Sequence, residues 1–471
     1  TSKGVYHMVF SSLQFIFIFL PIFFGCYYMV PNRNKNYILL IGSLCFYFVG
    51  TINNPEYLIL FIISILIDYI VALGIEKHVK YKKIILLTGI FFHVGSLVVF
   101  KYLGFVLMEL SKQMESFNFT KNIVLPIGIS FYTFQGISYI VDVYRGNIKA
   151  ERSLLHYAVY IAMFEQLIAG PIVTYKQVRK ELYVKKINRL SVMEGIGTFI
   201  IGLGLKVLLA NPIGKLWTQT CAIGFESIST PLAWLSIFAF TFQIYFDFWG
   251  YSLMAIGLGK MLGFQLPKNF DYPYLSLSMT QFWRRWHMTL GSWFKEYVYI
   301  PLGGNRKGFI KTIRNLMIVW LLTGIWHGAG YNFILWGAVL FIILVIEKFF
   351  IGKWLHRYSM AGHLYMFIII PLTWAVFAID DIGQMGVFFT RLFPFLSQGM
   401  ESIFPNDYIK YWNLYYPFFI AGILFSTKIP FQLLKKIKNK TIITVILLLV
   451  FLACTYCMYK GLDDPFLYFR F

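Results

Sequence analysis

The sequence predicts an all-α polytopic membrane protein, with about ten full transmembrane helices plus re-entrant segments, and three observations lead there. Of 471 residues, 58% are hydrophobic and only 13% charged, about half the charge of a soluble chain, and the mean hydropathy is +0.66. Apolar runs near the roughly 20 residues needed to cross a bilayer recur along the chain. Lys and Arg, 42 residues against 21 acids, gather in the short links between those runs. A net charge of +21 would otherwise suggest nucleic acid as a partner. Confined to short links it reports orientation instead, because basic loops stay in the cytoplasm.

The runs follow in order. Residues 10–30 end at PNRNKN, a basic loop that leaves the N-terminus outside. Runs 37–49 and 57–75 enclose the nearly uncharged TINNPE on the outer side, EKHVKYKK returns to the cytoplasm, and run 84–108 crosses again. From residue 123, LPIGISFYTFQGISYIVDVYRG interrupts an apolar run with Pro, Gly, Gln and Asp, which membrane depth tolerates only inside protein or beside a wet cavity. YAVYIAMFEQLIAGPIV then has basic segments on both sides and reads as re-entrant, with Glu165, Gly170 and Pro171 facing a cavity. Runs 192–210 and 232–258 make the next pair.

Residues 314–346 would form one helix about 50 Å long against a hydrocarbon core of about 30 Å, and both flanks are basic. The economical solution is a broken hairpin that turns near HGAGYN and carries His327 at the turn; a single tilted helix is the competing reading. Runs 364–379, 411–425 and 441–458 follow, with acidic loops around Glu401 and Asp407 outside and KKIKNK inside, so the tail KGLDDPFLYFRF, 460–471, ends on the outer face. Residues 8–471 read as one membrane-embedded domain, and TSKGVYH, 1–7, as a remnant appended ahead of Met8. No internal repeat is evident, which weakens a secondary-transporter reading.

The chemistry-bearing residues are few. The five cysteines are scattered without a metal or disulfide framework, and the CxxC of Cys454 and Cys457 lies in a span. His287 and His327 are set among Trp, Arg, Gly and Asn rather than plain hydrocarbon sequence. A histidine in an apolar run is ordinarily a satisfied core residue. His327 departs from that pattern because Gly324, Gly328 and Gly330 leave room for a substrate, and a buried neutral imidazole can move a proton near neutral pH. In WRRWH, Arg284 and Arg285 favour an anionic partner such as a phosphate-bearing cofactor, while Trp283, Trp286 and Trp293 equally suit an interfacial aromatic belt. PLGGNR, with Asn305, is a weak phosphate-cradle signal. Asp68, Asp142, Glu165 and Asp247 are intramembrane acids, either functional or paired structurally with a base.

QFWRRWHMTLGSWFKEYVYIPLGGNR and LTGIWHGAGYNFILWG resemble the two signature blocks of the membrane-bound O-acyltransferase superfamily, in its bacterial alginate and peptidoglycan O-acetylation branch. LPIGISFYTFQGISYIVDVYRG, QLIAGPIV and FQIYFDFWGYSLMAIGLGKMLGFQLPKNFDYPY extend the match over most of residues 8–346. The branch pattern FSGYSDMAIG reads FWGYSLMAIG here, and FPQLIAGP reads FEQLIAGP, so Trp249, Leu253 and Glu165 depart from it. The resemblance implies helices around a central tunnel in a bacterial inner membrane. His327 would be the catalytic residue and His287 would sit on the cytoplasmic approach.

Acetyl-CoA would serve as donor substrate, with no permanently bound cofactor. FLYFRF is similar to the C-terminal aromatic hexapeptide of these systems, whose tyrosine, here Tyr468, would carry the acyl group to a separate extracytoplasmic SGNH-like acetyltransferase acting on polysaccharide or peptidoglycan. D-alanyl transfer to teichoic acid, a transporter or flippase, and a non-catalytic recruiting subunit are the alternatives.

Overall fold

In a computed structural model of the chain, the described residues are 8–113, 124–167, 170–396, 404–461 and Leu467. They form helices joined by turns, with no strand among them. Among the described residues, eight helices are long and apolar enough to cross a membrane, or nine if Asp407–Phe425 and Ile429–Lys436, bent by 71°, form one span. The first two apolar runs form shorter helices. The chain turns through residues 9–12 before helix begins, and Phe15–Met29 stops ahead of Pro31. Lys35–Gly50 has 16 residues, about 24 Å of helix. Conversely, run 192–210 continues through NPIGKLW to give Arg189–Ile223. The π-helical stretch Leu205–Ala210 runs directly into Pro212, so the helix continues past a residue that has no N–H to donate.

Two compact units divide the chain: one holds residues up to Phe199 with Tyr251–Lys268, the other Ile200–Gly250 and residues from Asn269 onward. In the first, Glu56–Lys77, Lys82–Leu97 and Ile129–Tyr144 pack together around buried Asp68. Its carboxylate lies 2.6 Å from His93 Nε2 and accepts the Tyr157 hydroxyl at 2.9 Å. Gly136 makes room for the pair, since a Cβ there would stand 2.4 Å from Asp68 Oδ2. Asp142 accepts from Asn147 Nδ2 at 3.0 Å. The sequence 154–167 breaks at Met163 into Leu154–Ala162 and Phe164–Leu167, neither long enough to cross, as the re-entrant reading expects. Glu165 is fully buried there, and neither carboxyl oxygen has a hydrogen-bond partner among the described residues.

The second unit contains the expected hairpin. Phe309–His327 and Tyr331–Ile346 are separated by Gly328–Gly330 and pack against each other along their length. Two glycines set the spacing: a Cβ on Gly324 would meet Phe333 O at 2.3 Å, and one on Gly337 would meet Trp320 O at 2.6 Å. Small residues at this crossing let the backbones approach, which is how helices associate where lipid offers no hydrophobic drive. Ser359–Ala378 packs on the second arm.

Candidate functional site

His327 is the last residue of its helix arm, and the turn that follows is pinned from outside. Asn332 donates from Nδ2 to Phe377 O at 2.9 Å and to Asp380 Oδ1 at 3.3 Å, tying the turn to the end of Ser359–Ala378. Gly328 is required by close approach, because a Cβ there would lie 2.1 Å from the Phe333 ring. The imidazole is buried and meets the rings of Trp326, Trp336 and Phe377 edge-on, with centroids 5.0, 5.1 and 5.3 Å away.

Beside it lies a small cavity of about 20 Å³, whose lining includes His327, Trp283, Trp336, Asp247, Phe248 and Leu467. That is room for about one water. The indole N–H groups of Trp283 and Trp336 have no acceptor among the described residues, so the walls carry donors that a carbonyl oxygen can use.

His287 sits between Met279–Arg285 and Met288–Phe294 with a left-handed backbone, φ 42°, a strained conformation for a residue with a Cβ. The strand-like stretch facing it holds it there: Met288 N–H donates to Asn269 O at 2.9 Å and Asp271 N–H to Arg285 O at 2.9 Å. Asn269 Oδ1 receives the Thr289 N–H at 3.3 Å and the Thr289 hydroxyl at 2.9 Å, and lies 3.1 Å from His287 Nδ1.

A backbone N–H can only donate, so the Asn269 atom facing it is oxygen and His287 Nδ1 must carry the proton. Nε2 is left with a lone pair, buried and without a hydrogen-bond partner among the described residues. His287 lies outside the candidate spans, and burial pushes its pKa down to about 3. The ring stays neutral and serves as an acceptor. Phe248 stands edge-on to it at 4.7 Å and Trp326 lies 6.3 Å away, so the two histidines share Trp326 as a neighbour and Phe248 joins His287 to the cavity wall.

The remaining candidates divide. Trp283 lines the cavity, whereas Arg284 is exposed, Arg285 half-buried, and Asn305 exposed in the turn 300–307. That turn is shaped by buried Asn315, whose Nδ2 donates to Gly304 O at 2.8 Å and Leu302 O at 3.3 Å. Tyr468 lies outside the described residues, as do Glu401 and residues 1–7.

Several working groups escaped the sequence reading. Asn269 and Asn332 orient the two histidine segments. Glu347, which reads as part of a basic flank, is buried and caps the helix bearing Trp283, accepting Met279 N–H at 2.5 Å and Thr280 N–H at 2.8 Å. Asp247, expected to be either functional or paired with a base, pairs with Lys206 at 2.5 Å, and that partner was the part not foreseen. Intramembrane charge was the available signal for Glu347 and Lys206.

The site therefore brings a buried imidazole and indole donors to the walls of one small aromatic cavity, with a second, fixed histidine behind Phe248, a setting for proton transfer and carbonyl polarisation in acyl transfer. Comparison with known proteins agrees with that chemistry. Residues 148–379 match the membrane-bound O-acyltransferase family model. A probable alginate O-acetylase AlgI of Pseudomonas putida is 38% identical over 396 residues, 82% of this chain and 81% of that protein. A peptidoglycan O-acetyltransferase of Helicobacter pylori is 36% identical over 73% of this chain and 71% of its own length. A teichoic acid D-alanyltransferase of Bacillus subtilis is 28% identical over 50% of this chain and 62% of its own. On that similarity and this architecture, the chain belongs to the membrane-bound O-acyltransferase family and is a multi-pass membrane acyltransferase.

Proposed function

We propose that this protein takes an acetyl group from cytoplasmic acetyl-CoA and passes it across a bacterial inner membrane for O-acetylation of an extracytoplasmic polysaccharide or peptidoglycan. Tyr468 is the acceptor on the outer side, both termini are extracytoplasmic, and a separate SGNH-like transferase completes delivery. The observation that carries this reading is that His327 and Leu467, the residue before Tyr468, line one cavity.

In the first step the thioester C–S bond breaks and an ester bond forms to the Tyr468 phenol oxygen, while His327 takes the phenol proton and returns it to the leaving thiolate. Trp283 and Trp336 steady the carbonyl oxygen as charge develops on it. Arg284 and Arg285 face the phosphates of the donor, with Asn305 near by and His287 as an acceptor on its approach. In the second step the outer enzyme moves the acetyl group to a polymer hydroxyl and regenerates the phenol. The acyl group passes from a thiol of pKa near 8.5 to a phenol near 10 and then to an alcohol above both, each a poorer leaving group than the last. Acetyl is preferred to D-alanyl because the O-acetylase relative matches 82% of this chain at 38% identity and the teichoic acid D-alanyltransferase only 50% at 28%.

The test is peptide mass analysis of the full chain after incubation with labelled acetyl-CoA. Label on the peptide containing Tyr468, absent in Tyr468→Phe, supports the relay. Label elsewhere, or undiminished in that variant, removes the tyrosine from the mechanism.

A further inference from the structure

Asp247 is a buried carboxylate whose two oxygens face different partners. Oδ1 lies 2.5 Å from Lys206 Nζ, and Lys206 also reaches Asn211 Oδ1 at 3.4 Å. Oδ2 accepts the backbone N–H of Leu467 at 2.7 Å across 220 residues of sequence. Lys206 and Asp247 are almost fully buried, their side chains 1% and 5% exposed, and Leu467 is itself buried.

The base is firmly placed. Lys206 lies in the π-helical stretch Leu205–Ala210, a local widening that often marks a working position. Gly250, one turn past Asp247, lets that stretch come close: a Cβ there would meet Gly202 O at 2.6 Å and Lys206 N at 3.1 Å. One half of the carboxylate is thus bound to the helical scaffold and the other half to the tail.

We infer that the Lys206–Asp247 pair is a seat for the C-terminal tail and that Asp247 is a positioning residue for the acyl acceptor. The inference rests on the reading that the tail accepts the acyl group. Recognition runs through a backbone N–H, so it sets the register of the tail rather than selecting its side chains, and the residue it fixes is the immediate neighbour of Tyr468. It also makes seating reversible in a defined way. When the tail leaves to deliver its acyl group, Asp247 Oδ2 loses its partner in a buried setting, an unfavourable state that draws the unloaded tail back. A purely structural ion pair would serve the helices equally well with the tail absent.

The experiment uses the full-length protein, in wild-type form, as Asp247→Asn, and as the double variant Lys206→Met with Asp247→Leu, which removes both charges together and leaves neither unpaired. Folding is checked by detergent gel filtration. Two quantities are read: the rate at which carboxypeptidase trims the tail, followed by intact mass, and the kinetics of label transfer from acetyl-CoA to the tail. Loss of a hydrogen bond to a charged group predicts trimming about 10-fold faster in the double variant. It also predicts a kcat for tail labelling lower by a similar factor, with KM for acetyl-CoA unchanged, and Asp247→Asn, which keeps an acceptor oxygen, falling between.

A folded double variant whose tail is as protected as the wild type overturns the seat, as does a change confined to KM. If the double variant fails to fold, Asp247→Asn decides by the same two readouts: wild-type trimming and labelling overturn the seat. A wild-type tail that takes no label defeats the relay, while the trimming rates still decide the seat.

Discussion

His287 Nδ1 stands 3.1 Å from Asn269 Oδ1, and this contact fixes which face of the imidazole is free. Asn269→Ala leaves the Nδ1 proton without its acceptor, at a cost of about 1–3 kcal/mol, and unsettles the left-handed turn at His287. We expect a lower kcat/KM together with a lower thermal midpoint. The neutral ring also makes a pH prediction. With its pKa pushed down to about 3, His287 contributes no limb to the activity profile between pH 5 and 9, so His287→Gln lowers the plateau without moving either limb. For stability the sign is equally definite: the unfolded histidine binds its proton first as pH falls below its ordinary value, so the folded state loses stability from there toward pH 3. His287→Gln should therefore flatten acid destabilisation, measured by melting between pH 7 and 5.

Gly324→Ala should splay the hairpin that presents His327. Its Cβ would fall 2.3 Å from Phe333 O, and the obstructing atom is backbone rather than a flexible side chain. Overpacking of this kind costs about 1–3 kcal/mol. The prediction is reduced activity with a lowered melting temperature, whereas Gly386→Ala, where the added Cβ meets nothing within 4 Å beyond its own helix among the described residues, should leave activity unchanged.

The hairpin was legible in the sequence because both flanks are basic and HGAGYN supplies glycines where the chain can turn; length alone does not decide it, since Arg189–Ile223 stays one helix of 35 residues. The histidine segments were legible for a related reason: each interrupts hydrocarbon sequence with Trp, Arg, Gly and Asn. Partnerships were not legible. Asp68 meets His93 and Tyr157, Asp247 meets Lys206 and Leu467, and Glu347 caps a helix 67 residues upstream. No local pattern encodes such pairings, because helix packing brings together residues at unrelated separations. The end of run 192–210 was not legible either: the helix continues through Pro212 to Ile223.

In the loop before Leu154–Ala162, Glu151 ties that loop to the helix Tyr175–Tyr183 of the first unit. It accepts hydroxyls from Tyr175 and Tyr183 and the Ser153 N–H at 2.8 Å. Burial alone would raise its pKa, but the hydrogen bonds from Tyr175 and Tyr183 outweigh it and hold the carboxyl below the usual glutamate range. A depressed carboxylate pKa stabilises the fold above the unfolded value and loses that contribution as pH falls through the folded one. Glu151→Gln should cost about 1.5–3 kcal/mol at pH 7, with the gap to wild type closing below about pH 4.5. Melting curves across pH 7 to 4 check this, and a constant gap would mean that the carboxylate charge is irrelevant.

The central claim is that the buried imidazole at the hairpin turn performs acyl transfer. The direct measurement is the rate at which the purified full-length protein releases CoA thiol from acetyl-CoA, for wild type and for His327→Ala, with melting temperatures confirming that both are folded. The account predicts a loss of at least about 100-fold in kcat for the variant, the range that a positioned general base supplies. A folded His327→Ala protein that releases thiol at the wild-type rate would contradict it.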